Sequence, residues 1–183
     1  YLRDCLEGFV MQQTNFPFVA IVHDDASTDN SAAIIREYEE KYSDIIKPIY
    51  ETENQWRKGT LAKVMNIAID ATGAKYVAMC EGDDYWTDPL KLQKQVDFME
   101  ANPGYVLCCH RYKIYNQNDG TWNNDSASHI LNSYPNGYVF TNKENLNVGW
   151  FTKTMTLLIR NDALKNMPNT RGFKYWRDFH MNY

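Results

Sequence analysis

The sequence has no run of about 18 apolar residues, the length that spans a bilayer, and no secretory leader pattern. It has no excess of basic residues: 19 Lys+Arg stand against 23 Asp+Glu, a net charge of −4 with both signs interspersed. That balance argues against nonspecific binding to nucleic acid or an anionic membrane through a basic face. Cysteine is sparse. Cys5, Cys80, Cys108 and Cys109 show no zinc-ligand spacing. The last three lie in apolar runs, which predicts buried, reduced thiols and a reducing compartment, the cytoplasm, rather than a disulfide scaffold. No glycine-rich phosphate loop, internal repeat or interdomain linker is visible. The first residue is Tyr1 rather than Met, which gives the expectation of a piece of a longer chain.

What is present is one domain's worth of chain, 183 residues with 44% apolar content. "YLRDCLEGFVMQQ" places Leu2, Leu6, Phe9 and Val10 at helical spacing. "FPFVAIVHDD" is a continuous apolar run ending in two carboxylates, the pattern of a strand buried on both faces. "ASTDNSAAIIREYEEKY" follows as a helix with Ser27 and Asp29 as capping residues. "IIKPIYE" reads as an edge strand because of Pro48, and a helix through Leu61, Val64, Ala68 and Ile69 stops at Gly73. "AKYVAMC" is another buried strand; "TDPLKLQKQVDFMEANPG" is a helix with Asp88 as cap and Pro89 in its first turn. "YVLCCHRYKIY" and "TKTMTLLIRND" read as strands, and "RGFKYWRDFHMNY" as a helix start. Between them, "NQNDGTWNNDSASHILNSYPNG" is expected to be a long loop, either a functional lid or disordered. The alternation predicts an α/β fold with a mostly parallel sheet flanked by helices.

Two acidic clusters end two of these strands: Asp24 and Asp25 after "FVAIVH", and Glu81, Asp83 and Asp84 after "KYVAMC". In an open parallel sheet, ligands bind beyond the carboxyl ends of the strands. The expectation is therefore that both clusters face one crevice. Packed carboxylates repel, and a hard divalent cation, Mg2+ or Mn2+, offsets that repulsion while also holding substrate phosphates. The plainer reading is that such acids only cap helices and shape turns. An EF-hand is excluded: counting from Asp25, position six is Asn30 instead of Gly and position twelve is Arg36 instead of Glu.

These segments resemble a known family. "HDDASTDNS" is similar to the "DDGSTD" segment of family 2 glycosyltransferases, which have the GT-A fold, a Rossmann-like nucleotide-diphospho-sugar transferase architecture. "CEGDDYWTDPLKLQKQVDFME" resembles their acidic DxD segment and following helix. "YLRDCLEGFVMQQT" and "MNIAIDATGAKYVAM" resemble the flanking helices and the strand into the metal site. The likeness covers most of residues 1 to 112. It implies one domain over 1–183, with 1–112 as the nucleotide-binding half and 113–183 as the acceptor-side half. It also implies that the family's first strand lies before Tyr1, and that Glu81 and Ala26 stand where Asp and Gly are usual.

The resemblance implies a metal-dependent, inverting transfer of a hexose from a nucleotide-diphosphate sugar, most simply a UDP-sugar, to a hydroxyl. The acceptor is then a saccharide or lipid-linked saccharide. The setting is bacterial surface polysaccharide synthesis at the cytoplasmic face of a membrane, with peripheral association. Asp24 and Asp25 are then contacts for the base or ribose. Glu81, Asp83 and Asp84 are the metal-side acids, with Asp83 also near the nucleotide, and Asp178 in "YWRDFHMNY" is the general base. Lys58, beside Gly59, is a candidate contact for the diphosphate; a solvated loop lysine is the plainer reading. Tyr85 and Trp86 are candidates to wall the sugar site, and Trp150 with "TKTMT" to line the acceptor pocket. His23 and His110 read as core residues. No processive-synthase Gln-x-x-Arg-Trp signature is present, which favours single-sugar transfer. The rivals are a phospho-acceptor receiver-type signalling domain, a nucleotidyltransferase and a non-catalytic nucleotide-sugar binder.

Overall fold

A computed structural model describes residues 1–141, 143–144 and 153–165. The apolar spacing near the start forms α1 (Leu2–Val10). The first buried run forms β1 (Ala20–Asp24), followed by α2 (Ser31–Lys41) and β2 (Ile46–Tyr50). β1 and β2 pair in parallel, with Val22 opposite Pro48 and Asp24 opposite Tyr50. Asp29 Oδ1 accepts the Ser31 N–H at 2.9 Å, just ahead of α2. A one-turn helix that the sequence reading left as loop, α3 (Gln55–Lys58), begins at Asn54, whose side chain accepts the Arg57 N–H at 2.7 Å. α4 (Leu61–Thr72) ends at Gly73, whose φ of 65° is the left-handed stop that the glycine predicts.

β3 (Tyr76–Ala78), α5 (Lys91–Ala101) and β4 (Leu107–Cys108) follow. Helix α5 starts later than the Asp88-Pro89 step suggests: Asp88 Oδ1 accepts the Leu90 N–H at 2.9 Å in a turn before it. The expected strand "YVLCCHRYKIY" divides after Cys108, and its second part, β5 (Lys113–Asn116), pairs with β6 (Thr121–Asn124). Thus the expected long loop is instead a hairpin followed by α6 (Ser128–Leu131). In "TKTMTLLIRND", Thr154–Thr156 form a 3₁₀ turn, and only Leu158–Arg160 form a strand, β7, running into α7 (Asn161–Lys165).

The α/β architecture stands, but the strand pairing is more mixed than a mostly parallel sheet. β1–β2 is parallel; β7 lies between β3 and β4 and runs antiparallel to both. The physical reason is burial. Leu158 and Ile159 are each 2% exposed, and the returning strand reaches that depth only by entering the sheet between its neighbours. Arg160 then ties the layers, donating to Tyr105 O, Met99 O and Tyr76 Oη.

Two apolar clusters result. One gathers Leu6, Val22, Ile35, Tyr38 and Ile46; the other gathers Trp86, Leu92, Met99 and Leu158. Phe9 packs against both, so α1 is the wall they share. Two features fasten that wall to the segment carrying Glu81, Asp83 and Asp84. A Cβ on Gly8 would lie 2.9 Å from Trp86 N and 3.0 Å from Trp86 O, so only glycine allows this approach. Gln12, buried, donates from Nε2 to Gly8 O at 3.1 Å and Asp88 O at 2.9 Å, and its Oε1 accepts the Leu92 N–H at 3.0 Å. One amide therefore joins the end of α1, the acidic segment and the first turn of α5.

Lys91 is buried against the same segment. Its Nζ sits 3.8 Å from the centroid of the Trp86 ring and has no hydrogen-bond partner among the described residues. Burial pushes its ammonium down to about 8.

Two outcomes follow for stability. Gln12→Leu leaves the Leu92 N–H without its partner and the Asp88 carbonyl with only the Lys91 N–H, and should lower the unfolding free energy by about 1–3 kcal/mol in a urea titration. For Lys91 the folded state loses its proton near pH 8, and the unfolded chain only near 10.5. The unfolded state then binds more protons in that window, so stability rises with pH across it. Relative to Lys91→Met, the wild-type chain should gain on the order of 2–3 kcal/mol between pH 8 and 10.5; a pH-independent difference would remove the buried-ammonium assignment.

Candidate active site

β3 ends at Ala78, and the chain turns sharply through Cys80 to Trp86. The Asp84 N–H donates to Glu81 O at 3.1 Å, closing the turn. Two thiols hold the turn from beneath: Cys5 Sγ donates to Glu81 O at 3.4 Å and Cys80 Sγ to Asp84 O at 3.6 Å. Its hydrogen-bonding contact with Cys5, followed by burial, raises the Cys80 pKa, so the Cys80 thiol stays protonated. All four cysteines are free, as their spacing predicts. Trp86 anchors the far end. Its ring meets Phe9 edge-on at 4.9 Å, and its Nε1 donates to Met155 O at 2.8 Å.

With the backbone tied down, Glu81 and Asp83 project outward and Asp84 is half-buried. Burial first, and the Asp83 charge second, raise the Asp84 carboxyl above the ordinary carboxylate range. Among the described residues no three carboxylate, thiol or imidazole groups converge as a metal cage. Mg2+ and Mn2+ do not need one: such ions are commonly held by one or two carboxylates, with substrate phosphates and water completing the shell. The donor set of Asp83 and Asp84 fits that mode.

All three acids line one cavity of about 1220 Å3. Tyr85 and Trp86 line it too, as do Thr154 and Met155 of the "TKTMT" segment. Trp86 serves both the core and this wall. His110 also lines the cavity; its Nδ1 lies 2.7 Å from Arg111 O, its Nε2 has no partner among the described residues, and burial lowers its pKa. His23 is buried, with Nε2 3.7 Å from Glu51.

The other cluster is not brought to this cavity. Asp24 is buried, and its Oδ1 accepts the Ser27 N–H at 3.3 Å. Asp25 caps α3: Oδ1 accepts the Gln55 N–H at 2.5 Å and Oδ2 the Trp56 N–H at 3.0 Å. Lys58 pairs with Glu53. None of the three is among the residues lining the cavity of Glu81, Asp83 and Asp84. The orphan N–H groups of α3 claim the Asp25 carboxylate. Between the two acids, Ala26 sits at φ 59°, keeping the left-handed turn that glycine would adopt freely. Asp178 and Trp150 lie outside the described residues.

Sequence reasoning missed Gly8, Gln12 and the Cys5–Cys80 pair, which position the acidic turn. It also missed the hairpin wall, although Asp-Gly between "KIYN" and "TWNN" is a turn signal.

The sequence matches Glycosyl transferase family 2 over residues 1–166. An uncharacterized protein of Mycobacterium tuberculosis is 43% identical over 114 residues, 62% of this chain and 32% of the relative. An uncharacterized glycosyltransferase of Nostoc sp. is 34% identical over 112 residues, 61% of this chain and 33% of the relative. The Escherichia coli UDP-Glc:alpha-D-GlcNAc-diphosphoundecaprenol beta-1,3-glucosyltransferase WfaP is 32% identical over 102 residues, 56% of this chain and 38% of the relative. The matched segment thus spans about a third of the length of these relatives. The family match sets aside the receiver-domain alternative, and the acidic turn, the α/β layers and the extent of the match together make this chain a member of glycosyl transferase family 2.

Proposed function

We propose that this chain forms the donor-binding and part of the acceptor-binding surface of a glycosyltransferase that moves a sugar from a nucleoside-diphosphate sugar, with UDP as the nucleotide, to a saccharide hydroxyl in surface polysaccharide synthesis. The observation that carries this reading is the acidic turn: three carboxylates on a backbone fixed by Gln12, Gly8 and two thiols, all along one large cavity. Family membership supports the reaction type. The E. coli relative's name supports a UDP-sugar donor and a lipid-diphosphate-linked saccharide acceptor. Among the described residues, no helix is long and apolar enough to cross a membrane; contact with a lipid-linked acceptor at the cytoplasmic face would then be peripheral.

In this reading Asp83 and Asp84 would hold a Mn2+ or Mg2+ ion, with Glu81 at the edge of the same turn; such an ion, when bound, would neutralise charge on the donor diphosphate. Asp24 and Asp25, at the end of β1, serve the nucleoside in the same reading, and Lys58, once released from Glu53, a phosphate. Asp178 takes the proton of the attacking hydroxyl, a role that rests on the family resemblance and on the weak nucleophilicity of a neutral hydroxyl.

Titration calorimetry of UDP with and without manganese tests the turn. Asp83→Ala should abolish the manganese-dependent gain, weakening binding by about tenfold or more; equal affinity would strike Asp83 from the site. Asp178→Asn should leave UDP affinity within about twofold and reduce transfer by at least about a hundredfold. Retained turnover in that variant would remove Asp178 from the mechanism.

A further inference from the structure

The β5–β6 hairpin has a sidedness that core packing does not explain. Its register pairs Lys113 with Asn124, Ile114 with Asn123, Tyr115 with Trp122 and Asn116 with Thr121. Strand alternation puts Lys113, Tyr115, Trp122 and Asn124 on one face. All four of these line the cavity of the acidic turn; of the opposite face, only Ile114 does. The Tyr115 and Trp122 rings touch, with centroids 4.8 Å apart at 40°, yet they remain 47% and 53% exposed. A lone two-stranded hairpin has no core of its own, and a paired aromatic surface left open to solvent is a binding feature more often than an accident.

The two ends of the hairpin are tied to each other. Arg111 pairs with buried Asp125 and donates to Ser128 Oγ and Asn132 Oδ1, locking both ends of the hairpin together. Tyr112 Oη adds a 3.2 Å contact to Ser126 Oγ. The aromatic face lines the same cavity as Asp83 and Asp84, and that cavity does not take in Asp24, Asp25 or Lys58. Its volume of about 1220 Å3 exceeds the ~300–1,000 Å3 of ordinary small-molecule clefts, which leaves room beyond a donor.

We propose that Tyr115 and Trp122 form a stacking platform for a pyranose ring of the saccharide acceptor. The chemistry matches on both counts. A pyranose presents an apolar C–H face that lies on aromatic rings, and a rim of hydroxyls that exchange hydrogen bonds with amides such as Asn124 and Gln117. A purely apolar partner would leave those amides unpaired. The inference rests on the transferase reading, because that reading supplies the acceptor. Tyr115 and Trp122 act as specificity-determining residues; the reacting atoms belong to the acidic turn.

The test uses the full chain on an array of microbial oligosaccharides, without donor, alongside a thermal-shift measurement of UDP with manganese. Wild type should bind a subset of the glycans. The Tyr115→Ala/Trp122→Ala variant should lose that signal by about tenfold or more while keeping its UDP shift. Trp122→Phe, which preserves a ring, should retain most of the glycan signal, and Asn123→Ala, on the opposite face, all of it. A wild-type chain that binds no glycan, or a double variant that binds as wild type does, overturns the platform. Glycan binding that needs both rings in a chain with no UDP shift would instead break the donor reading and leave the platform standing.

Discussion

The structure depends on the seam between α1 and the acidic segment. Gly8 lets the helix backbone reach that of Trp86, and Gln12 bonds three backbone groups, the Leu92 N–H among them, from a buried position. A buried polar group without a partner costs about 1–3 kcal/mol, so this single amide governs more stability than its size suggests. Because Phe9 belongs to both apolar clusters, the seam also makes one body of the β1–β2 and β3–β7–β4 layers, which share no strand hydrogen bonds. The carboxylates are placed by residues distant in sequence, none of which bears charge.

The consequence for chemistry is preorganisation. Like charges on Asp83 and Asp84 would relax apart on a free loop. Here the backbone carbonyls of Glu81 and Asp84 are held by the Cys5 and Cys80 thiols, while burial first and the Asp83 charge second raise the Asp84 pKa. Dipoles fixed before a ligand arrives need not reorganise when it binds. The hairpin lines the same cavity with flat aromatic surface and neutral amides, a chemistry unlike that of the acids.

Much of this was legible in the sequence. Continuous apolar runs marked β1 and β3, helical spacing marked α1, α4 and α5, and Gly73 marked a stop. The acids stood out because they follow buried strands. Other features stayed hidden because they are tertiary. β7 has the same local pattern whether it runs parallel or antiparallel, and only the burial of Leu158 and Ile159 settles its place. Gly8 and Gln12 look like ordinary helix and turn residues until Trp86 and Leu92 arrive from far along the chain. Asp25 was ambiguous for a chemical reason: an aspartate that reaches a nucleoside and one that caps a helix have the same neighbours in sequence. The hairpin was misread for want of weight on one dipeptide, Asp119-Gly120, where Gly120 takes φ 70°.

Asp25 carries a further implication. Both of its oxygens are bonded to the first amides of α3, a helix of only four residues, too short to persist on its own ladder. The winding of the Gln55–Lys58 turn and the state of that one carboxylate are therefore linked equilibria: anything that draws Asp25 away unwinds the turn, and the peptide amides there exchange with solvent at a rate set by how often this happens.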